Sequence, residues 1–398
     1  MDYGKIKGID SLGDLKGKRV LVRADFNVPL EGGAISSDQR ITAALPTIRK
    51  LLGMGARVIL CSHLGRPEGK GFEAAFSLKP VAQRLSELLG FEVPLTPDCV
   101  GEQTHRTVTG IHDGRALLLE NLRFHKAESK GAEAFGRELA AHGEFYVNDA
   151  FGTCHRADAS MTWPAKLLPS AAGLLVKAEV DALSTVLTNP KRPCLAVLGG
   201  AKVSDKIPLI NNLLPKVNEI CIGGGMAYTF LLSQGVEIGN SLCDDTLVPT
   251  CKDIMAKASD LGVIVHLPND HVVSSSMDDE SAMEVNGDVP AGKAAFDIGD
   301  QTARRFNDAI KRAKTILFNG PMGVFEKERF SNGTRAIVNA IAESTKAGAF
   351  SVVGGGDSAA AAEHFQQDKH MSHVSTGGGA SLTLLQGEPM PALEALVK

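Results

Sequence analysis

Two polar residues follow an apolar strand pattern near the start of the chain. Residues 19–24 (RVLVRA) form a mostly apolar run that predicts a buried parallel strand, and Asp25 and Asn27 follow it closely. Ligands in open α/β sheets bind just beyond the carboxyl ends of such strands. We therefore expect both side chains to lie where a substrate binds.

Arg40 adds a cation to the same region. Ser36-x-x-Gln39 is a capping-box pattern, which predicts a helix start with Arg40 in the first turn. A cation there opposes the helix dipole, and an anionic ligand held between strand end and helix start would explain it. A solvated arginine on a surface helix is the alternative interpretation.

Further cations follow other strand-like runs of the first half of the chain. A single arginine at a strand end is usually a solvated rim residue, but four of them with histidine partners indicate an anion pocket, because planar guanidinium groups suit phosphate and carboxylate. Besides Arg40, the residues are His63, Arg66, Arg123, His125, His155 and Arg156, in CSHLGR, NLRFH and GTCHRADAS.

The second half of the chain carries glycine-rich turns after strands instead. One such turn is common in ordinary loops, whereas five together indicate backbone amides that surround phosphates at helix N-termini. Gly354-x-Gly356-x-x-Ala359 fits a dinucleotide fingerprint, but Asp357 within it would repel a pyrophosphate unless a metal lay between them, which favours a Mg²⁺-nucleotide over NAD. The five turns are GGAKVSDK (199–206), GGGMA (223–227), FNGPMGVFE (318–326), GGGDSA (354–359) and STGGGAS (375–381).

Composition limits the classes of protein to consider. The chain has 398 residues, enough for two domains, and 43% hydrophobic with 22% charged residues is ordinary for a globular protein. A net charge of −4 without a basic block argues against nucleic acid as a partner, and no apolar run is long enough for a membrane span. We expect a cytoplasmic protein without a signal peptide. Seven scattered cysteines predict reduced thiols rather than disulfides or a zinc site.

The elements that position these residues alternate along the chain. Strand-like runs recur between helix-period segments, which predicts βαβ units and therefore an α/β fold with doubly wound parallel sheets. A helical pattern over about 173–188 ends at Asn189-Pro190 and predicts a helix that joins two domains. Besides 19–24, the strand-like runs are 56–63, 115–122, 144–151, 194–200, 219–225, 263–270, 315–320 and 349–356.

On these residues alone, two alternative functions stay open. A dinucleotide-dependent oxidoreductase would need an acid after a second strand to hold a ribose, and a nicotinamide absorbance change would favour it. A non-catalytic nucleotide-binding scaffold would keep the glycine-rich turns but lack the arginines, which are present here.

Eight motifs, in this order over about 360 residues, resemble the phosphoglycerate kinase family: VRADFNVP, SHLGRP, LLENLRFH, GGAKVSDK, GGGMAYTFL, FNGPMGVFE, GGGDSA and STGGGAS. The resemblance implies two doubly wound domains that face each other across a cleft and are joined by a helix. It places a phosphoglycerate-binding domain at 1–173 with 381–398 returning to it, a linking helix at 174–189 and a nucleotide-binding domain at 190–380. It also implies transfer of a phosphoryl group between 1,3-bisphosphoglycerate and ADP, giving 3-phosphoglycerate and ATP, in glycolysis and gluconeogenesis, with Mg²⁺ as cofactor and a monomeric, hinge-bending enzyme.

The resemblance assigns site residues by matching motifs. It implies a phosphoglycerate site, a nucleotide site with Asp357 as the metal-side acid and Glu326 as a ribose contact, and glycines Gly377, Gly378 and Gly379 that open the last helix toward the transferring phosphate. Arg40, Lys206 and Gly378 would be catalytic. The phosphoglycerate residues are Asp25, Asn27, Arg40, His63, Arg66, Arg123 and Arg156, and the nucleotide residues are Lys202, Lys206, Asn319, Glu326, Gly355, Gly356, Asp357 and Ser358.

Three residues depart from the family's common pattern. Cys154 and Asp158 replace residues that are commonly Ala and His, and Phe318 stands where Trp is frequent. Only Asp158 matters for the chemistry, because an unpaired acid facing an anion site would repel the substrate. We therefore predict that Asp158 is paired with a basic neighbour or turned toward solvent.

Two mechanistic expectations follow from the implied substrates. A carboxylate acceptor is already ionised at neutral pH, so no general base is required. The arginine-rich and glycine-rich motifs lie in different halves of the chain, so we expect the domains to close around the reactants and exclude water.

Overall fold

The structure is a computed structural model that describes residues 2–279 and 281–397. By packing, the described residues divide into two compact units. The N-terminal unit belongs to Met1–Asp181 together with Pro389–Lys398, and the C-terminal unit to Ala182–Glu388. The chain passes from the first unit to the second within the helix Leu174–Thr188.

Short apolar runs form the parallel sheet of the N-terminal unit. Its order is β5–β4–β1–β6–β7, while β2 and β3 pair as a separate antiparallel hairpin. Val22 lies opposite Leu60 on one side and Val147 on the other, and all three are fully buried. The strands are β1 (Arg19–Arg23), β2 (Leu30–Glu31), β3 (Ala34–Ile35), β4 (Arg57–Cys61), β5 (Ala116–Leu118), β6 (Phe145–Asn148) and β7 (Ser170–Ala172).

Helices with one apolar face cover this sheet. Ile41, Leu45 and Ile48 follow helical spacing and pack into the core that includes Val22. The helices are α1 (Gln39–Gly53), α2 (Lys79–Leu89), α3 (Glu102–Thr109), α4 (Lys126–Ser129), α5 (Glu133–Ala140), α6 (Ala159–Leu167) and α7 (Leu174–Thr188).

The C-terminal unit repeats the plan with a second parallel sheet in the order β10–β9–β8–β14–β15–β16. A small antiparallel sheet, β12–β11–β13, accompanies it. The strands are β8 (Cys194–Leu198), β9 (Glu219–Ile222), β10 (Ile264–His266), β11 (Asp270–Ser274), β12 (Met283–Asn286), β13 (Ala294–Ile298), β14 (Thr315–Asn319), β15 (Phe350–Val353) and β16 (His373–Val374).

The remaining helices complete both units. The last of them, α15, returns to the N-terminal unit, where the amide of Ala392 donates to the carbonyl of Cys154 at 3.3 Å. These helices are α8 (Ile207–Leu213), α9 (Ala227–Ser233), α10 (Val248–Asp260), α11 (Asp300–Arg312), α12 (Asn332–Lys346), α13 (Gly356–His364), α14 (Gly379–Leu385) and α15 (Pro391–Leu396). Within residues 2–279 and 281–397, no helix combines the length and apolar character that a membrane crossing requires.

The order of strands creates a switch point in each parallel sheet. The chain moves outward from β1 to β4 and β5, then continues on the other side with β6 and β7; in the second sheet β8 and β14 are the neighbours at the reversal. Ligands of doubly wound sheets bind at the carboxyl ends of strands at such points. The predicted α/β fold with doubly wound parallel sheets is confirmed, and every strand-like run noted in the sequence contains a strand.

The capping box predicted for α1 is wrong. The helix begins at Gln39 with Asp38 as its N-cap residue, and no side chain of the described residues caps it. Ser36 instead closes the end of the β2–β3 hairpin, where its amide donates to the carbonyl of Pro29 at 3.1 Å. Arg40 nevertheless lies in the first turn, as predicted.

The cysteines are free thiols, as predicted. All of them are buried except Cys243, which is partly exposed.

Candidate active site

The carboxyl end of β1 places Asp25 against the first turn of α1. The Nη1 of Arg40 donates to both carboxylate oxygens of Asp25, at 3.0 and 2.9 Å, while half of the Arg40 side chain stays exposed. The amide of Asn27 donates to Asp25 Oδ1 at 3.1 Å, and the Oδ1 of Asn27 accepts from the amide of Gly65 at 2.8 Å. These bonds tie the loops after β1 and β4 to the start of α1.

Several cations converge on His63, which follows β4 and is 2% exposed. Burial is the main cause that holds the pKa of His63 well below its ordinary value, and the charges of four arginines add to it. The four, in decreasing order of effect, are Arg23, Arg123, Arg156 and Arg40. The N-terminal unit thus gathers arginines from the end of β1, the first turn of α1 and the segments after β5 and β6 around one histidine. We call these five residues the cation cluster.

Arg123 is fixed from two directions. Its Nη1 donates to the carbonyl of Gly65 at 2.8 Å, and its amide donates to Asn121 Oδ1 at 3.0 Å. Burial and the charge of Arg156 lower the pKa of Arg123. Arg66 lies in the loop after β4 and is exposed.

Asp158 is the N-cap residue of α6, and its placement contradicts the sequence-based prediction. The side chain is 5% exposed, so it is not turned toward solvent. Among the described residues, no hydrogen bond or ion pair holds its carboxylate, and Oδ2 is buried without a partner. The prediction is wrong because the start of helix α6 buries the residue. The carboxylate of Asp158 attracts the charge of Arg123, and this attraction partly counters the lowering of the Arg123 pKa by burial.

Sequence reasoning missed one member of the cation cluster and misjudged a neighbour. The strand pattern includes Arg23, and a charged residue inside an otherwise apolar strand run is the signal that could identify it. His125 does not contribute to the low pKa of His63; its Nε2 lies 2.7 Å from Asp98 Oδ1, and this bond raises the pKa of His125.

The C-terminal unit contains a cavity of about 500 Å³ at the carboxyl ends of β8, β14 and β15. Most of the residues that the family resemblance assigns to a nucleotide line it, together with Gly378 and Gly379. Glu326 and Gly377 are not among the lining residues, and Glu326 is exposed in the loop after β14. The assigned residues in the lining are Lys202, Lys206, Asn319, Gly355, Gly356, Asp357 and Ser358.

Asn319 organises one wall of this cavity. It lies opposite Leu198 in the sheet, its Nδ2 donates to the carbonyl of Gly354 at 2.6 Å, and its Oδ1 accepts from the ammonium of Lys206. Burial lowers the pKa of Lys206 to about 8, although Asp357 and Asp205 attract its charge. The cavity therefore contains a partly buried ammonium group, which phosphate oxygens would stabilise.

The turn before α13 has a backbone that suits glycine. Gly355 has a φ of +94°, and a Cβ there would lie 3.2 Å from Asn319 Nδ2. Ser358 keeps the adjacent turn close, because its hydroxyl accepts from the amide of Gly320 at 2.6 Å. The first turn of α13 thus lines the cavity, as anion-binding helix starts do.

Two carboxylates line the cavity, those of Asp205 and Asp357, and Asp357 is exposed in the first turn of α13. One carboxylate beside a helix start that could hold phosphates fits Mg²⁺, which is commonly bound by one or two carboxylates plus substrate phosphates. A separate group, Asp98, Cys99 and His125, has its ligand atoms within 4.8 Å of one another. Asp98 and His125 already satisfy each other there.

Comparisons with known proteins show the family to which the chain belongs. The family model described as phosphoglycerate kinase matches residues 9–388. The chain belongs to the phosphoglycerate kinase family. A phosphoglycerate kinase of Bifidobacterium adolescentis is 50% identical over 402 residues, covering 98% of this chain and 100% of that protein. One from Clostridium botulinum (strain Alaska E43) is 48% identical and covers 100% of both chains.

Solved phosphoglycerate kinases have the same fold. The structure from Coxiella burnetii has a TM-score of 0.93 at 43% identity, and that from Pyrococcus horikoshii OT3 has a TM-score of 0.79 at 31% identity, each over 98% of both chains. As a member of the phosphoglycerate kinase family, the chain is an enzyme, a phosphotransferase with a carboxyl group as acceptor. The family's reaction converts 1,3-bisphosphoglycerate and ADP to 3-phosphoglycerate and ATP, which decides against the oxidoreductase and the non-catalytic scaffold.

Proposed function

We propose that the cation cluster, with Asp25, Asn27 and Arg66, binds 3-phosphoglycerate and 1,3-bisphosphoglycerate. The observation that carries this proposal is the convergence of Arg23, Arg40, Arg123 and Arg156 on His63. Three of these arginines, Arg40, Arg123 and Arg156, belong to the residues that the family resemblance assigns to this substrate. A ligand with a phosphate and a carboxylate would supply the negative charge that this cluster lacks.

We further propose that the cavity of the C-terminal unit binds ADP and ATP. Its glycine-rich turns suit the close approach of phosphates, and Lys202 and Lys206 supply positive charge. Mg²⁺ would be held by Asp357 together with the nucleotide phosphates, where it would neutralise charge on the transferring group. Glu326 is the proposed ribose contact, although it lies outside the cavity lining.

Enzymes catalyse phosphoryl transfer mainly by positioning the reactants and by stabilising charge on the transferring group, and less by forming covalent bonds to it. In this proposal Arg40 and Lys206 stabilise the oxygens of the transferring phosphoryl group, and the backbone at Gly378 faces it from the start of α14. The acceptor carboxylate of 3-phosphoglycerate is ionised at pH 7, because its pKa lies near that of an ordinary carboxyl group, at about 4. No side chain therefore has to act as a general base.

Each of the two domains expected from the sequence is proposed to bind one of the two reactants. Residues 1–173 with 381–398 would bind phosphoglycerate, residues 190–380 would bind the nucleotide, and 174–189 would join them. Because the reactants bind to different domains, we expect hinge-bending closure during turnover. We also expect a monomer in the cytoplasm that uses neither nucleic acid nor a membrane as a partner.

Calorimetric titration of 3-phosphoglycerate and of ADP into two variants tests these assignments. Arg123→Ala should lose affinity for 3-phosphoglycerate and keep its affinity for ADP, because Arg123 belongs to the cation cluster. Lys202→Ala should show the opposite pattern, because Lys202 lines the cavity of the other unit. If either variant weakened both ligands equally, or if the two patterns were exchanged, the assignment of the sites would be wrong.

A further inference from the structure

The guanidinium group of Arg23 is fully buried and bonded on three sides. Its Nη2 lies 3.0 Å from Nδ1 of His63, its Nε donates to the hydroxyl of Ser160 at 2.9 Å, and its Nη1 donates to the carbonyl of Ala24. A guanidinium group has donors only, so the Nδ1 of His63 must be the acceptor in this pair. The imidazole proton then lies on Nε2.

A buried carboxylate stands on the other side of Ser160. The hydroxyl of Ser160 donates to Oε1 of Glu128 at 2.5 Å, and the amide of Ser160 donates to Oε2 at 2.9 Å. Glu128 lies in α4 and is fully buried, as Ser160 is at the start of α6. Neither Glu128 nor Ser160 belongs to the residues assigned to the substrates.

The donors and acceptors between Glu128 and His63 are all fixed, with Arg23 donating on both sides. Glu128 accepts from Ser160, the Ser160 oxygen accepts from Arg23, and Arg23 donates to His63. Reversing the His63 tautomer would place an N–H against a donor, which costs a buried hydrogen bond. We call these four residues the buried relay.

The charge of Arg23 favours the ionised form of Glu128. Arg23 lies in a neighbourhood that contains Arg40, Arg123 and Arg156, all of which act on His63. Burial raises the pKa of Glu128, the charge of Arg23 acts against this rise, and the charge of Asp158 adds to it. Removing one partner of such a buried pair leaves an uncompensated charge. The other titratable groups that sense Glu128 include Cys61, Cys99, Tyr146 and Arg123.

We propose that Glu128 is a positioning residue that acts through Ser160 and Arg23 to hold His63 as a neutral Nε2–H donor toward the bound phosphoglycerate. The contact with substrate rests on the proposed function, whereas the tautomer of His63 does not. Glu128 touches no reacting atom in this proposal. Its effect is to fix which nitrogen of His63 carries the proton and how the ring is oriented.

Nitrogen NMR of the full chain labelled with [¹⁵N]histidine tests the relay without any substrate. The His63 signals are assigned by their loss in His63→Gln. In the wild type we expect a protonated Nε2, an unprotonated Nδ1 and no titration between pH 5.5 and 8. A signal from Nδ1–H, or a titration of His63 near pH 6.5, would overturn the proposal.

Two variants then interrupt the relay at different points. Glu128→Gln removes the counter-charge, and Ser160→Ala removes a single hydroxyl, so the second variant keeps the test decisive if the first does not fold. For both we expect His63 to populate the other tautomer or to titrate, and the KM for 3-phosphoglycerate to rise ~3–30-fold with the KM for ATP unchanged. Thr162→Val is the matched control, because Thr162 lies in the same helix as Ser160 and also has a buried hydroxyl. That hydroxyl donates to the carbonyl of Asp158 and not to Glu128.

The outcomes separate the two proposals. If both variants leave the His63 signals and the KM for 3-phosphoglycerate unchanged, or if Thr162→Val changes them as much, the relay does not position His63. If the wild type shows the expected tautomer and the variants lose it, but 3-phosphoglycerate is neither bound nor used, the proposed function has failed and the positioning of His63 has not.

Discussion

Arg40 and Asp25 form a paired contact in which one guanidinium nitrogen reaches both carboxylate oxygens, at 3.0 and 2.9 Å. The pair holds the Arg40 side chain beside the end of β1 while half of it remains exposed. Arg40 is therefore oriented before any substrate arrives. In the proposed reaction its charge would act on the transferring group without first ordering a free side chain.

Arg40→Ala should lower the kcat for the conversion of 3-phosphoglycerate and MgATP by ~10²–10⁴-fold, because the charge acts mainly in the transition state. The affinity for ADP should stay within experimental error, since Arg40 belongs to the N-terminal unit. Steady-state kinetics and ADP calorimetry measure the two quantities. Arg49→Ala is the matched control: Arg49 lies in the same helix but donates to the carbonyl of Leu88 at 3.0 Å. A variant of Arg40 that turned over as fast as this control would contradict the assignment.

Asp357→Asn should weaken the binding of MgADP much more than the binding of ADP without metal. The carboxylate lies in the first turn of α13, where the phosphates are proposed to bind, and there it helps the nucleotide only if a cation stands between them. Calorimetry with and without Mg²⁺ measures both affinities, and Glu363→Gln, in the same helix and exposed, serves as the control. Equal losses with and without Mg²⁺ would show that Asp357 does not hold the metal.

The affinity for ADP should depend on pH through Lys206. Burial lowers its pKa to about 8 in the free enzyme, and bound phosphates should raise that pKa again. Affinity should therefore be constant below pH 8 and fall above it, by up to about tenfold per pH unit until the bound-state pKa is reached. Lys206→Arg keeps its charge to higher pH and should remove this dependence. If titrations from pH 7 to 9.5 gave parallel curves for both proteins, Lys206 would not be the titrating group.

Asp149 should make stability depend on pH in the acid range. Burial raises its pKa from 3.8 to about 6, although its Oδ1 accepts from the amides of Leu175 and Val176 at 3.0 and 3.4 Å. A carboxyl group whose folded pKa is raised stabilises the fold at low pH, and this contribution is lost as pH rises from about 4 to 6. Asp149→Asn does not titrate.

The free energy of unfolding of Asp149→Asn, relative to the wild type, should therefore increase by on the order of 3 kcal/mol between pH 3.5 and 7. Urea unfolding at several pH values measures this difference. Asp14→Asn, at an exposed carboxylate, should show no comparable change. A difference for Asp149→Asn that stayed constant across this range would mean that its burial does not shift the titration.

Local patterns predicted the main sheets and much of the proposed site, because strand ends and helix starts are set by nearby residues. Asp25 and Arg40 lie where the strand and helix patterns placed them. The capping box failed because Ser36 is used by a hairpin that the sequence did not reveal. Arg23 and Glu128 were missed because their bonds join residues separated by up to 137 positions in the chain. The small sheet β12–β11–β13 was missed because its strands lack the continuous apolar runs of a buried parallel sheet.

Phosphorus NMR of the enzyme with 3-phosphoglycerate and MgATP tests the central claim directly. We expect ADP and an acyl phosphate to appear in equal amounts, only when 3-phosphoglycerate is present, and the reaction to run backward when ADP is added. Release of inorganic phosphate without an acyl phosphate, or ADP formation that does not depend on 3-phosphoglycerate, would contradict phosphoryl transfer to this carboxylate.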